Sequence, residues 1–286
     1  MNDAERSSNS EGESRKSSPL LLIDTKNSLY RVSYASKSTD EGILILLRLF
    51  NDWIKKFKPS GIIAAWDAPR SQVWRRDHHP GYKDRDQNRY VVDHTERIAE
   101  MTAIMSEMMP CLGIRQLGRD RMEADDLIYA CASVVCPDDC IVISSDSDMA
   151  QIPYLLRNVK VFNAQKEAFS DGMNVLSKAL AGDRSDSVNG YDGIGKVKAE
   201  KLISERAYRQ QFFQERGWDI LRESMLLVDL QCCPYLLDNK IYCMQKLAEP
   251  VVADSSKAAS VIKNHKLKLV FMEQQRLLPV FGSLNG

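Results

Sequence analysis

The chain has 286 residues, 44% hydrophobic and 27% charged, with 39 basic and 39 acidic side chains that cancel. This composition excludes a wholly disordered or fibrous chain and a uniformly basic nucleic-acid coat, while allowing local patches and a core large enough for one big domain or two smaller ones. Apolar runs fall short of a membrane span: GILILLRLF is interrupted by Arg48 and followed by Asp52, and PLLLI is too short for a signal-peptide core.

Residues 1–18, rich in serine and charge and without aromatics, are expected to form a disordered tail. PLLLID then reads as a short buried strand ending at Asp24. A helix is expected over 40–58, with Ile43, Leu46, Leu47, Phe50, Ile54 and Phe57 along one face. GIIAAWD is a second strand ending at Asp67, followed by a polar, arginine-rich stretch over 68–90. A helix over 92–112 carries Ile98, Met101, Met105, Met108 and Leu112 at helical spacing, a stripe expected in the core rather than on a binding surface. GIRQL is a third strand, 123–135 a helix, CIVISSD a fourth strand ending at Asp146, and NVKVF a candidate fifth. Strands alternating with helices imply an α/β fold: a mostly parallel sheet with helices on both faces. Beyond residue 170 the pattern turns mainly helical around the loop NGYDGIGKVKAEKLI, and 251–286 shows no clear pattern. The expected division is therefore the tail, a core over 19–170, and a helical region over 171–286.

The acidic residues fall in a pattern. Asp24 and Asp67 close strands, Glu123, Asp125 and Asp126 open a helix, and Asp146 and Asp148 follow a strand. In an open parallel sheet, ligands lie beyond the carboxyl ends of the strands, so all of these share one edge. Asp183 and Asp186, in GDRSD, can reach it from the helical region. A single strand-end aspartate is more often a helix cap than a ligand. Many such groups together repel, by ~4 kcal/mol for two charges ~4 Å apart at an effective dielectric near 20, and need cations or protons. All-oxygen donors select hard ions such as Mg2+ or Mn2+. So many carboxylates suggest two ions, which suits phosphodiester hydrolysis.

Two further stretches point to nucleic acid. RSQVWRRDHHPGYKDRD supplies Arg70, Arg75, Arg76, Lys83 and Arg85 beside Trp74 and Tyr82, cations and aromatics able to hold phosphates and stack a base. The bland alternative is a solvated loop paired with Asp77, Asp84 and Asp86; His78 and His79 read as loop residues. Gly193 and Gly195 precede a helix bearing Lys196, Lys198 and Lys201, a pattern for backbone contact with a duplex, or else an ordinary tight turn. The seven cysteines, an odd number without a C-x-x-C pair, are expected as buried thiols in a reducing compartment. Cys131, Cys136 and Cys140 lack zinc-site spacing.

In order along the chain, LLIDTKNSLYR, WD…WRRDHHPGYK, EADD, SSDSDMAQI and GDRSDSVNGYDGIG resemble the motifs of the 5′-nuclease, or flap endonuclease, family. The resemblance runs from about Pro19 to Asp229, and MLLVDL at 225–230 is similar to the phage-type branch. It implies a PIN-like core, a helical arch near 76–100 and a helix–three-turn–helix near 190–206. It implies one ion at Asp24, Asp67, Glu123, Asp125 and Asp126 and a second at Asp146, Asp148, Asp183 and Asp186, with Asp125 as a bridge. Lys83, with Arg75 and Arg85, would act on the scissile phosphate; Tyr82 would stack on a displaced nucleotide. Arg76, Gly193, Gly195, Lys196, Lys198 and Lys201 would contact DNA. The implied cofactors are two Mg2+ ions, replaceable by Mn2+, and K+ at the helix–three-turn–helix loop. The implied activity is metal-dependent cleavage of branched or 5′-flapped DNA, or of an RNA–DNA hybrid, leaving a 5′-phosphate, by a monomer in a DNA-containing compartment and not at a membrane. Departures are Thr25 where the family has glycine, Asp86 where it has arginine, and Ser187 after Asp186. A PIN-like ribonuclease would lack the basic stretch and the G-I-G segment, and an inactive DNA-binding protein would have lost carboxylates. QQRLLPVF at 274–281 loosely resembles a sliding-clamp peptide, but a terminal segment packed on the core is favoured.

Overall fold

The apolar runs become strands of one sheet, because segments without polar alternation must be covered on both faces. The computed structural model describes residues 18–84, 92–135 and 140–285. Residues 1–17, the middle of the expected arch with Arg85 and Asp86, and Cys136 lie outside them.

The strands are β1 (Leu20–Asp24), β2 (Gly61–Ala65), β3 (Arg115–Leu117), β4 (Cys140–Ile143), β5 (Val159–Asn163) and β6 (Ala168–Phe169). The helices of the sheet region are α1 (Thr25–Ala35), α2 (Thr39–Phe57), α3 (Arg75–His78), α4 (Val92–Cys111), α5 (Ala124–Val135) and α6 (Ile152–Leu155). Those that follow are α7 (Val175–Ala181), α8 (Lys196–Ser204), α9 (Arg206–Arg216), α10 (Asp219–Val228), α11 (Leu236–Ala248), α12 (Ser255–Asn264) and α13 (Lys268–Phe281). Sheet order is β3-β2-β1-β4-β5-β6, with β1 parallel to both β2 and β4. Among these strands β6 runs antiparallel to its neighbour, setting Phe169 opposite Phe162. The order reverses at β1/β4, which opens a crevice beyond Asp24.

Alternation along β1 sorts the two core layers. Leu21 and Ile23 face α2, α4, α12 and α13, while Leu22 faces α5 and α11. Burying each such side chain stabilises the fold by roughly 1.5–3 kcal/mol. Met101, Met105 and Met108 are fully buried, so the methionine stripe is core. Helix α2 starts at Ser38, which accepts from the Glu41 amide (3.2 Å), and ends at Lys58 in the left-handed region (φ 47°).

A third apolar cluster joins Val73 and Tyr82 to α7–α10 through Val175, Leu180, Tyr191, Phe212 and Leu221. Gly182 and Gly190 pack backbone to backbone there: a Cβ on Gly190 would stand 2.3 Å from the Ala181 carbonyl carbon. The unpatterned segment 251–286 includes α12 and α13. Leu277, Leu278 and Phe281 are buried against the sheet layer, and Asn51 Nδ2 donates to the Leu277 carbonyl (3.3 Å). Among the described residues no helix is long and apolar enough to cross a membrane.

Candidate metal centre

Asp24 is both the last residue of β1 and the cap of α1, accepting from the Asn27 amide (3.0 Å) and from Ser144 Oγ (2.9 Å). Asp67 follows β2 and accepts from the Ala124 amide (2.8 Å), which ties the end of β2 to the start of α5. Glu123 and Asp125 flank that start. Asp146 follows β4, where its amide donates to Ser144 Oγ (3.1 Å) and its carboxylate accepts from the Asp148 amide (2.9 Å). Asp186 comes from the turn after α7. Asp24, Asp67, Glu123, Asp125, Asp146 and Asp186 line one cleft of about 200 Å³, with Lys26, Asn27, Tyr30, Arg70 and Lys83 on its walls.

The charges there are unequal. Burial, then the neighbouring Asp67 and Asp146, push the Asp24 carboxyl up to about 7. Burial raises Asp125, aided by Asp126 and Glu123 against the pull of Arg75. Burial and Asp148 raise Asp146, and burial raises Asp186. Burial also resists ionisation of Glu123, but Arg75 and Lys83 outweigh it and hold that carboxyl down at about 2. A cleft in which four carboxyls resist ionisation favours either protons or a multivalent cation. The oxygens are hard donors, so the set fits a divalent ion.

Glu123, Asp125 and Asp126 each offer an oxygen within 4.8 Å of the others. Behind them lies a guanidinium with only 1% of its side chain exposed. Arg75 grips Asp126 with both terminal nitrogens (2.8 and 2.9 Å), donates to Glu123 (2.7 Å), and sends Nε to the Leu227 carbonyl (2.8 Å). Trp74 Nε1 donates to the same Asp126 carboxylate (2.9 Å). Arg75 and Asp126 are thus paired behind the cleft rather than lining it. Arg75, expected at the phosphate, and Asp126, expected at an ion, hold each other in a bidentate pair, while Asp126 keeps an oxygen within 4.8 Å of oxygens of Glu123 and Asp125. Tyr82, expected to stack on a nucleotide, is 3% exposed and donates to Glu123 (3.2 Å). The aromatic on the cleft wall is Tyr30.

Lys83 reaches into the cleft, with Nζ 2.7 Å from Glu123 and 3.8 Å from Asp186. Its backbone is left-handed (φ 53°), a conformation with a cost for a non-glycine residue, and its amide is held by the Asp186 carbonyl (3.0 Å). Arg76 braces this loop, donating to the Tyr82 carbonyl (3.1 Å).

Asp148, Asp183 and Asp186 form a second group, again with oxygens within 4.8 Å. Lys178 of α7 sits among them, in contact with Asp148 and 2.6 Å from Asp183. Burial opposes ionisation of Asp183, but Lys178 and Ser185 hold its carboxyl down at about 2. Nothing in VLSKALA marks Lys178 in advance. Its placement is the principal site feature that sequence patterning misses.

The segment between α7 and α8 presents Gly193 (φ 74°) and Gly195, where an added Cβ would meet nothing within 4 Å, so the backbone is open on that side. Gly195 caps α8, and Lys198 Nζ donates to the Gly193 carbonyl (2.9 Å), closing the loop. Lys196 and Lys201 are exposed, the latter 3.8 Å from Glu205.

A doubly wound α/β sheet with an acidic, cation-seeking crevice at its switch point is the class of protein that fold and site define. Residues 19–179, more than half the chain, match the 5′–3′ exonuclease, N-terminal resolvase-like domain. The chain belongs to the 5′–3′ exonuclease family. It is 26% identical over 293 residues to a 5′–3′ exonuclease of Bacillus subtilis, covering 87% of this chain and 93% of that protein. It is 26% identical over 226 residues to DNA polymerase I of Synechocystis, covering 67% of this chain but spanning only 22% of the polymerase. The fold is similar to the flap endonuclease of bacteriophage T5, solved as a pseudo-enzyme–product complex with DNA and metal ions. The TM-score is 0.61 at 17% identity, over 87% of this chain and 99% of that one.

Proposed function

We propose that this chain is a divalent-metal-dependent 5′-nuclease that hydrolyses DNA phosphodiesters near single-strand/double-strand junctions and leaves 5′-phosphates. The observation that carries the reading is the convergence of six carboxylates, from segments remote in sequence, on one cleft with Lys83 across it. Asp24, Asp67, Glu123 and Asp125 would hold one ion, and Asp146, Asp148, Asp183 and Asp186 a second, with Mg2+ the natural choice for an oxygen cage and Mn2+ a substitute. When bound, such ions supply ionisation of the attacking water and neutralisation of the leaving oxygen.

The chain's own residues do the rest. Lys83 offers an ammonium to a non-bridging phosphate oxygen, and Glu123 holds that ammonium in place. Arg75 fixes Glu123 from below. Arg85 is a candidate phosphate ligand from the expected arch. Gly193, Gly195, Lys196, Lys198 and Lys201 would meet a duplex backbone without reading bases, and K+ would be held by carbonyls of that loop. Junction-bearing DNA follows from pairing that surface with a cleft reached by one strand, and an RNA–DNA hybrid is a second substrate to test. The working division is a nuclease core over 19–170 and a helical DNA-binding region over 171–286, acting as a monomer. The buried apolar side chains of 274–281 argue against a clamp peptide there.

The test is cleavage of a 5′-labelled flap oligonucleotide with Mg2+ and with EDTA. The reading requires release of a short 5′ product with Mg2+ alone. Equal cleavage in EDTA would overturn it, and cleavage of single-stranded RNA in preference to flapped DNA would favour a ribonuclease.

A further inference from the structure

The acidic groups are neutralised by cations of the chain itself, and one of these has no part in the proposed chemistry. Arg75 serves the first group and Lys83 spans the cleft; among the described residues, Lys178 is the cation that serves Asp148 and Asp183. We infer that Lys178 is a tethered competitor for the second divalent ion: its ammonium occupies the carboxylate cage until an ion displaces it. This inference rests on the proposed two-ion reading and deepens it.

The geometry favours exchange. A lysine ammonium is a compact point charge with three donors, so it satisfies the same oxygens that a small cation would. Asp148, Asp183 and Asp186 gather their oxygens within 4.8 Å, too tight for an ammonium and a divalent ion to share them without strong repulsion. Arg75 is held in its site, being 1% exposed and bonded to Asp126, Glu123 and the Leu227 carbonyl. Lys178 differs. Its side chain is 10% exposed, and it also lines a second cavity, of about 430 Å³, between α7 and α8. The cavity is mostly apolar, with Ser177, Lys196 and Glu200 among its polar lining, so the flexible stem can lie along an apolar wall with the ammonium turned toward the Glu200 carboxylate. The lysine therefore prevents like-charge repulsion in the ion-free protein and lowers the affinity of the second ion without touching the first.

The test is Mn2+ titration of the full chain, followed by the electron paramagnetic resonance of free Mn2+, for wild type, Lys178→Met, Lys178→Gln and Lys178→Arg. Wild type should show a tight and a weak class of site. Lys178→Met and Lys178→Gln should tighten the weak class by about tenfold or more, the scale of one hydrogen bond to a charged group, and leave the tight class unchanged. Lys178→Arg should keep the weak class weak. In EDTA the two neutral variants should melt below wild type, and saturating Mn2+ should close that gap, which a purely structural lysine would not do. Two classes in wild type with an unchanged or weakened second class in both folded neutral variants would overturn this inference alone. No Mn2+ binding by wild type would overturn the two-ion reading and this inference with it.

Discussion

The two acidic groups solve the same electrostatic problem in different ways. At the start of α5, Glu123 and Asp126 are buried and locked by Arg75, whose fork satisfies both carboxylates and a backbone carbonyl at once. At the second group, Asp148 after β4 and Asp183 in the turn after α7 are partly exposed and share one lysine. The first arrangement is architecture: it connects α3, α5 and the end of α10, and gives Glu123 a fixed charge. The second is exchangeable. The difference teaches that carboxylates gathered in the same way can be served by a fixed cation or by an exchangeable one, according to how firmly that cation is itself tied down.

The comparison can be broken or sharpened by experiment. The largest effect is expected from Asp146→Asn with Asp148→Asn, which should lower Mg2+-dependent flap cleavage by at least about 10³-fold while leaving the fold intact; residual cleavage near wild type would remove these groups from the chemistry. Next, Arg75→Ala should cost about 3–5 kcal/mol in urea unfolding, because it strands two buried carboxylates. Lys178→Met should cost less than about 2 kcal/mol in the same assay. Similar effects of both substitutions would erase the distinction between fixed and exchangeable partners.

Two carboxyls of the cleft should also respond oppositely to pH. Asp24 binds its proton more tightly in the folded protein, with its carboxyl raised from 3.8 to about 7. Its contribution is complete below pH 3.8 and is lost as pH rises to about 7. Glu123 is held down from 4.5 to about 2, so its contribution is complete above 4.5 and is lost as pH falls through 2. In EDTA, stability should therefore decline from about pH 5 to about pH 7 on account of Asp24, and a divalent ion should stabilise more at about pH 8 than at about pH 5. Thermal melting across that range, with and without Mg2+, checks the sign. The smallest effect is expected at the surface: Lys196→Ala with Lys201→Ala should weaken duplex binding. The slope of log affinity against log salt should become shallower by up to about 0.9 for each phosphate no longer neutralised.

Much of this was legible in the chain. Asp24, Asp67 and Asp146 could be placed because a parallel sheet puts every strand's carboxyl end on one side, and the alternation of apolar runs with helical stripes gives that sheet away. Helix α1 was not, since TKNSLYRVSYA is mostly polar; its signals are the capping Asp24 and the buried Leu29 and Val32 on one face. Arg75 reads as one of several arginines in a basic stretch, and only tertiary packing reveals that its Nε partner lies 152 residues away. Tyr82 misleads in the same way: a polar neighbourhood in sequence suggests exposure, whereas α7–α10 bury it. Lys178 is a single lysine in an apolar helix, meaningful only once the turn at 183–188 folds back on it.

The most direct test of the central claim is anomalous diffraction from crystals of the full chain soaked in Mn2+. Two peaks in one cleft are expected, one among Asp24, Asp67, Glu123 and Asp125 and one among Asp146, Asp148, Asp183 and Asp186, with the Lys178 ammonium withdrawn from the second. No peak in the cleft, with Mn2+ bound only at scattered surface carboxylates, would contradict the account.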